Sequence, residues 1–366
     1  MSRLLLLLLL FALSPVATSA QEPGWPVEQR CVSKPTPPPP GWTFPGTLLL
    51  HGRYGIHAVD AKHETPYVAV YLQDDGLPGG GKLSPDGRWY AMLEGSASYG
   101  QYAMNAAISV SQIQVWSTVT NKQHYKLAWQ NAYSMGSHGL DHELWWYDNT
   151  HLLYEADGDG QPHSHYLINP FEGTSEPFNN QIVVGNYLFY PSPDWTRAIY
   201  PRNLDFNTDW VLRDRSGEKR LFPASEADSP MAIYWTTDST QFINIIYWKD
   251  HHELALYDTN GNRLDTLTQF QQLQQSADEA SWSPDGAHFA FLASQNLMIA
   301  DLKAKRIIDY CISGSGLIWS HDSTKIAFMG NSLKEQRPIR VLDLEREQVY
   351  TVAYHSGGGI IGWRAD

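Results

Sequence analysis

Imidazole is the side chain that most readily holds a transition metal or moves a proton near neutral pH, and this chain of 366 residues carries 14 histidines. Five stand where a metal or a polar ligand could be gathered: His138, His142, His163 and the adjacent pair His251 and His252. Their chemistry would be zinc or manganese ligation. A metal site needs geometry that sequence does not supply, so no metal is assigned to them. Tyr99, Tyr102, Arg202 and Arg337 add groups suited to recognising a polar ligand. Asp157-Gly158-Asp159-Gly160 has the opening of a calcium loop. It lacks further ligands in step and the closing Glu, and reads as a polar turn. The sequence predicts no cofactor.

Cys31 and Cys311 are the whole thiol content. In an oxidising compartment they suit one disulfide, tying the N-terminal region to the body. Two free thiols are the other reading, because sequence does not bring two Cα atoms within about 7 Å. Residues 1–20 have a signal-peptide layout: a basic start at Met1-Ser2-Arg3, an apolar run from Leu4 to Leu13, and small residues at Thr18-Ser19-Ala20. The run is shorter than the about 20 residues that a spanning helix needs. The expectation is an exported chain, secreted or periplasmic, with no membrane span after cleavage. Residues 21–46, with Pro35 and the prolines at 37–40, read as an extended strap. The formal charge of −13 argues against nucleic acid or an anionic membrane as the main partner.

The element that would position these groups is a repeat. Aromatic residues at 13%, charged residues at only 18% and 14 Trp exclude a disordered chain. Gly and Pro, 28 and 22 in number, are spread along it and disfavour long helices. Leu83-Ser84-Pro85-Asp86-Gly87 and Trp282-Ser283-Pro284-Asp285-Gly286 are the clearest copies of a turn motif. Weaker copies are anchored at Asp148, Asp194, Asp238, Asp322 and Asp366, so successive intervals are 62, 46, 44, 47, 37 and 44 residues. A period of about 40–50 is the signature of β-propeller blades. Trp stands three residues before the Asp in five of the seven copies, at Trp145, Trp235, Trp282, Trp319 and Trp363. The one long interval contains Glu94 to Ser111, a Gly/Ser-rich stretch read as a loop insertion.

A second pattern, apolar-x-apolar-x-Asp/Asn, recurs seven times in step, from Ile56-His57-Ala58-Val59-Asp60 to Ile339-Arg340-Val341-Leu342-Asp343. Only Leu48-Leu49-Leu50 precedes its first copy, and no strand follows the last Trp363-Arg364-Ala365-Asp366. The chain therefore starts inside one blade and ends with that blade's missing strand. Gly359 to Trp363 should be innermost, pairing with 47–52 and closing the ring without an exposed edge. The predicted fold is all-β, a seven-bladed β-propeller of four-stranded blades over residues 47–366.

The Trp-Ser-Pro-Asp-Gly turn followed by an Ile-x-Val-x-Asp strand resembles the WD-repeat-like blades of TolB-type propellers. It also resembles the propeller domains of the prolyl oligopeptidase group. The second resemblance would imply a hydrolase domain with a Gly-x-Ser-x-Gly elbow, and the chain has neither that motif nor a blade-free stretch to house the domain. Two function classes follow. The first is an exported, monomeric, non-enzymatic scaffold that binds a protein, peptide or glycan through one face. The second is a metal-dependent, lyase-like carbohydrate enzyme with its site at the channel mouth, in analogy to oligogalacturonate lyases.

Overall fold

A computed structural model describes residues 24–365, except 53–54, 64, 72–80, 99–106, 135–143, 157–163, 179–181, 183–188, 203–208, 223–229, 248–250, 271–279, 294–295 and 332–335. The signal-like segment 1–20 lies outside the described residues. The chain forms seven antiparallel blades of four strands, a seven-bladed β-propeller. Blade 1 is assembled from both ends of the body, Ile360–Arg364 beside Thr47–Gly52, then Gly55–Asp60 and Tyr67–Tyr71. Blade 2 runs Lys82–Leu83, Trp89–Ser98, Ala107–Ser117 and Lys122–Ser134, and blade 3 runs Leu144–Trp146, Leu152–Ala156, Ser164–Asn169 and Thr174–Pro177. Blade 4 runs Tyr190–Pro191, Arg197–Pro201, Trp210–Asp214 and Gly217–Phe222, and blade 5 runs Pro230–Trp235, Gln241–Tyr247, His252–Asp258 and Arg263–Phe270. Blade 6 is Ala280–Trp282, His288–Ala293, Asn296–Asp301 and Arg306–Asp309. Blade 7 is Ser315–Trp319, Lys325–Met329, Arg337–Asp343 and Gln348–His355.

The strand sequences explain why the blades stack. The second and third strands are apolar on both sides, so each sheet must be covered twice. Seven hydrophobic clusters do this, one at each blade-to-blade interface. Phe289, Phe291 and Ile307 of blade 6 meet Ile243, Leu254 and Leu267 of blade 5. Ile326, Phe328 and Leu342 of blade 7 meet Ile299 and Ile308 of blade 6. Each such side chain contributes about 1.5–3 kcal/mol of burial.

The recurring tryptophans also stitch neighbours together. Trp235 Nε1 donates to Tyr190 O at 3.0 Å, Trp282 to Tyr234 O at 3.1 Å and Trp319 to Ser281 O at 3.0 Å. Each bond reaches the first strand of the preceding blade. In blade 3 the stitching residue is Trp146, which donates to Lys82 O at 3.0 Å. The expected Trp145 is displaced because this turn is one residue shorter: Tyr147 N–H closes on His151 O, four residues on, where Ser283 closes on His288, five on.

The Ser-x-Asp turns are self-contained hydrogen-bond boxes. Ser283 Oγ donates to Asp285 Oδ1 at 2.6 Å and accepts the His288 N–H at 2.9 Å. The same hydroxyl-to-carboxylate bond recurs at Ser84–Asp86, Ser192–Asp194, Thr236–Asp238 and Ser320–Asp322, at 2.6–2.7 Å. The boxes also join hands across blades. Asp194 N–H donates to Ser239 Oγ and Asp285 N–H to Ser323 Oγ, both at 3.1 Å. Ser283 is fully buried, so Ser283→Ala strands two partners. It is expected to cost about 1–3 kcal/mol, read as a lower urea midpoint at unchanged slope.

Within the stretch read as a loop insertion, residues 94–98 and 107–111 are strand instead, and 99–106 lie outside the described residues. Trp89–Ser98 and Ala107–Ser117 pair from Trp89↔Ser117 to Ser98↔Ala107 with one bulge between Glu94 and Gly95, and Lys122–Ser134 follows, with further register shifts, as far as Ile108↔Ser134. Small polar residues at 95–98 suggested a loop, yet an antiparallel ladder is satisfied by backbone alone and resumes here beyond a bulge at Glu94/Gly95. Blade 2 is thus extended by strand over these two stretches.

The segment before the ring runs along its rim. Trp25 N–H donates to Leu267 O of blade 5 at 2.8 Å. Val27–Gln29 then adds a parallel fifth strand to Arg306–Asp309 of blade 6. Cys31 is disulfide-bonded to Cys311, with their Cα atoms 4.8 Å apart. Thr36 bridges Tyr350 of blade 7. Trp42 and Phe44 finally enter the cluster between blades 7 and 1.

Candidate functional site

The antiparallel blades give the ring two unlike faces. One holds the first-to-second and third-to-fourth turns. Its second kind of turn uses the Asp or Asn that ends each third strand. Asp258 Oδ1 accepts the N–H groups of Asn260 and Asn262, both at 2.8 Å. Asp301 caps Ala304, Asn169 caps Phe171 and Glu172, Asp60 caps Lys62 and His63, Asp214 caps Ser216, and Asp343 caps Arg346. Ser117 takes the same role in blade 2, accepting from Val119 and Thr120. Much of the acidity of the chain is therefore spent on its own turns. At Asp238 the Thr236 hydroxyl holds the carboxyl below its usual range. At Asp194, Asp285 and Asp322 burial pushes upward, but hydrogen bonds from Ser192, Ser283 and Ser320 with their N–H partners outweigh it.

The other face carries the second-to-third connections and the links between blades. Of the residues singled out in sequence for ligand contact, Arg202, His251, His252 and Arg337 border this face. Tyr99, Tyr102, His138, His142 and His163 lie outside the described residues. The remaining four are distributed over three blades. Arg202 ends the second strand of blade 4, where it pairs with Asp209 and Glu218, each at 3.7 Å. His252 opens the third strand of blade 5 and His251 directly precedes it. Burial, then the charge of His251, pushes the His252 imidazole down. Arg337 opens the third strand of blade 7, donating from Nη2 to Ser315 Oγ at 2.6 Å and from Nε to Gly330 O at 3.3 Å. Among the described residues, no group of three His, Cys, Asp or Glu is placed to hold a metal ion.

Sequence reasoning placed His355 on this face but did not bring it together with His51 and His57, with which it forms a histidine group at the ring seam. His355 ends the outer strand of blade 7, directly opposite Arg337 in the ladder. Its Nε2 lies 3.0 Å from the carbonyl oxygen of His51 in blade 1, and its ring meets His57 edge-on with centroids 5.1 Å apart. His355 is buried. The chain then passes through Gly357-Gly358-Gly359, whose backbone locks onto His51: Gly358 N–H donates to His51 O and His51 N–H to Gly359 O. A Cβ on Gly357 would lie 2.5 Å from the His51 oxygen, which explains a glycine there. The three histidines come from positions 51, 57 and 355, so no local spacing could have announced them.

The seam has a pH consequence. Burial first, then the electrostatic effect of His355, pushes the His51 and His57 imidazoles down. A lowered histidine value means that the folded state prefers the neutral form. The stability it contributes is complete above the unfolded-state value of about 6.5 and is lost as pH falls through the lowered folded values. Thermal stability should therefore decline from about pH 6.5 downward, and His57→Gln should flatten that decline. The turn aspartates, lowered in the folded state, add a separate loss only below about pH 4. A melting temperature that is constant between those two values would contradict the assignment.

No protein-family model and no curated protein matches the chain. Among solved structures it is similar to a quinonprotein alcohol dehydrogenase-like protein from Bacteroides thetaiotaomicron. The identity is 9% over 87% of this chain and 77% of that one, with a TM-score of 0.56. TolB from Acinetobacter baumannii aligns at 12% identity over 84% of this chain and 66% of the TolB chain, just under two thirds, with a TM-score of 0.38. At such identities the likeness is one of fold.

Proposed function

We propose that this chain is an exported, monomeric propeller that binds a protein, peptide or glycan on the face carrying the second-to-third connections, and that it acts as a scaffold without chemistry of its own. What carries the reading is the inequality of the two faces. On the turn face the Ser-x-Asp boxes and the strand-end caps satisfy one another. The opposite face carries Arg202, His251, His252, Arg337 and the seam histidines at or near the strand ends that border its connections, and such connections vary most readily without disturbing a blade. Export is supported by the signal-like layout of residues 1–20 and by the Cys31–Cys311 disulfide, a bond suited to oxidising compartments. Residues 21–46 act as a strap on the ring.

The experiment is a screen of the purified mature chain on peptide and glycan arrays, with and without chelator. The reading predicts capture of one ligand class, insensitive to chelator, with the ligand recovered intact. Metal-dependent shortening of a bound glycan would overturn it in favour of a lyase.

A further inference from the structure

Arg340 lies in the third strand of blade 7, opposite Phe328 and Thr351. Its guanidinium rests over Gly330: a Cβ built on that glycine would come within 2.6 Å of the Arg340 Cζ. Here the glycine provides the space that the guanidinium occupies. Among the described residues Arg340 makes no hydrogen bond and no ion pair, and its Nε is buried without a partner. Other partly buried arginines of the described residues are engaged. Arg306 pairs with Glu28 at 3.1 Å, Arg337 with Ser315, and Arg364 with Thr118 O at 2.6 Å. The chain has 39 carboxylates to offer and only 26 Lys and Arg, yet none of the described carboxylates meets this guanidinium.

An arginine held half-buried with its planar donor fork unused is organised for an oxyanion. Removing its water without supplying an acceptor costs free energy that the fold does not recover. Its surroundings suit the same ligand. Arg337 reaches the carbonyl of the same Gly330, which puts a second positive charge at this blade edge. Tyr354, half exposed, lies near enough to act electrostatically on Arg340. Burial pulls the Arg340 value down, but a guanidinium keeps its charge at neutral pH.

We propose that Arg340, with Arg337 and Tyr354 beside it, forms a subsite for an oxyanion of the ligand, a carboxylate or a phosphate group. This deepens the face-binding reading and rests on it. The test uses inorganic phosphate and succinate as probes, titrated by calorimetry against sodium chloride at equal ionic strength. The expected result is saturable binding of at least one probe, weakened tenfold or more by Arg340→Gln and less by Arg340→Lys. Phosphate alone, or succinate alone, identifies which oxyanion the subsite takes. Binding of neither probe beyond chloride, or equal binding by Arg340→Gln, overturns the subsite.

A second readout separates ligand binding from structure. Without ligand, Arg340→Gln should melt at the same temperature or higher, because it removes an unpaired charge. A fall of several degrees in both Arg340→Gln and Arg340→Lys would show a structural arginine and overturn the proposal. The two readings also fail separately. An array ligand held equally by Arg340→Gln sinks the subsite and leaves face binding intact. Probe binding at Arg340 with no array ligand sinks face binding alone.

Discussion

Deleting residues 358–366 should lower the melting temperature sharply and expose the Thr47–Gly52 strand to hydrogen exchange. Those nine residues hold the strand Ile360–Arg364, which completes blade 1 by pairing from Thr47↔Arg364 to Leu50↔Ile360. Trp363 is buried, meets Phe44 edge-on at 5.8 Å, and its Nε1 donates to Pro45 O. Arg364 reaches on into blade 2, donating to Thr118 O at 2.6 Å and to Thr47 Oγ1 at 3.0 Å. Truncating Trp363 to Ala alone should cost about 3–5 kcal/mol. Each kcal/mol shifts melting by about 2–4 °C in a mid-sized domain, so deletion of the strand should cost on the order of 10 °C or more. It also opens the edge on which the non-covalent closure depends. A truncated chain that melts like the intact one would contradict closure through blade 1.

Breaking the Cys31–Cys311 bond should have the next largest effect, and of a different kind. The bond spans 280 residues of sequence, so it restricts the unfolded chain strongly and is expected to contribute about 2–4 kcal/mol. What it holds in place is the rim segment rather than the blades. That segment bonds Leu267 O of blade 5, pairs with blade 6 from Val27↔Ile307 to Gln29↔Asp309, and donates and accepts at Thr36 along blade 7. Arg30, between Glu28 and Glu347, adds exposed ion pairs of small worth. The double variant Cys31→Ser/Cys311→Ser should lose exchange protection over residues 25–36, melt lower, and keep its far-ultraviolet β signal. Collapse of that signal would mean that the blades themselves depend on the strap.

These effects show which parts of the molecule were legible in the chain. The ring was, because each blade repeats two local patterns with a structural duty. Ser283-Pro284-Asp285 closes on itself within six residues, and Asp258 or Asp301 caps the turn that directly follows it. Local duties leave local signatures. Blade 3 blurred the pattern by one residue, so the count favoured Trp145 while the stitch is made by Trp146. The extension of blade 2 was hidden for another reason: backbone pairing from Gly95↔Val110 to Ser98↔Ala107 does not need apolar side chains. The meaning of the seam histidines as a group, and of Arg340, was illegible because it comes from partners up to 304 positions away or, for Arg340, from having none among the described residues. Of the residues chosen for ligand contact, Arg202 proved tied into an ion-pair group within blade 4, whereas Arg337 stands beside both the seam and Arg340.

The acidic balance takes on a different meaning in this light. A charge of −13 would ordinarily suggest attraction to a basic partner. With the aspartates committed to turns on one face, the opposite face keeps a cluster of positive and titratable groups at blades 7 and 1: Arg337, Arg340, His51, His57 and His355. The oxyanion proposed for Arg340 is compatible with this cluster, although the chain as a whole is negative.

The most direct measurement is a hydrogen-exchange footprint of the chain with and without the ligand found on the arrays. The account predicts protection confined to the second-to-third connections and inter-blade links, including residues 330–340 and 355–359, with exchange on the Ser-x-Asp turns unchanged. Protection centred on residues 84–87, 283–286 and 320–323 would place the ligand on the turn face and contradict it.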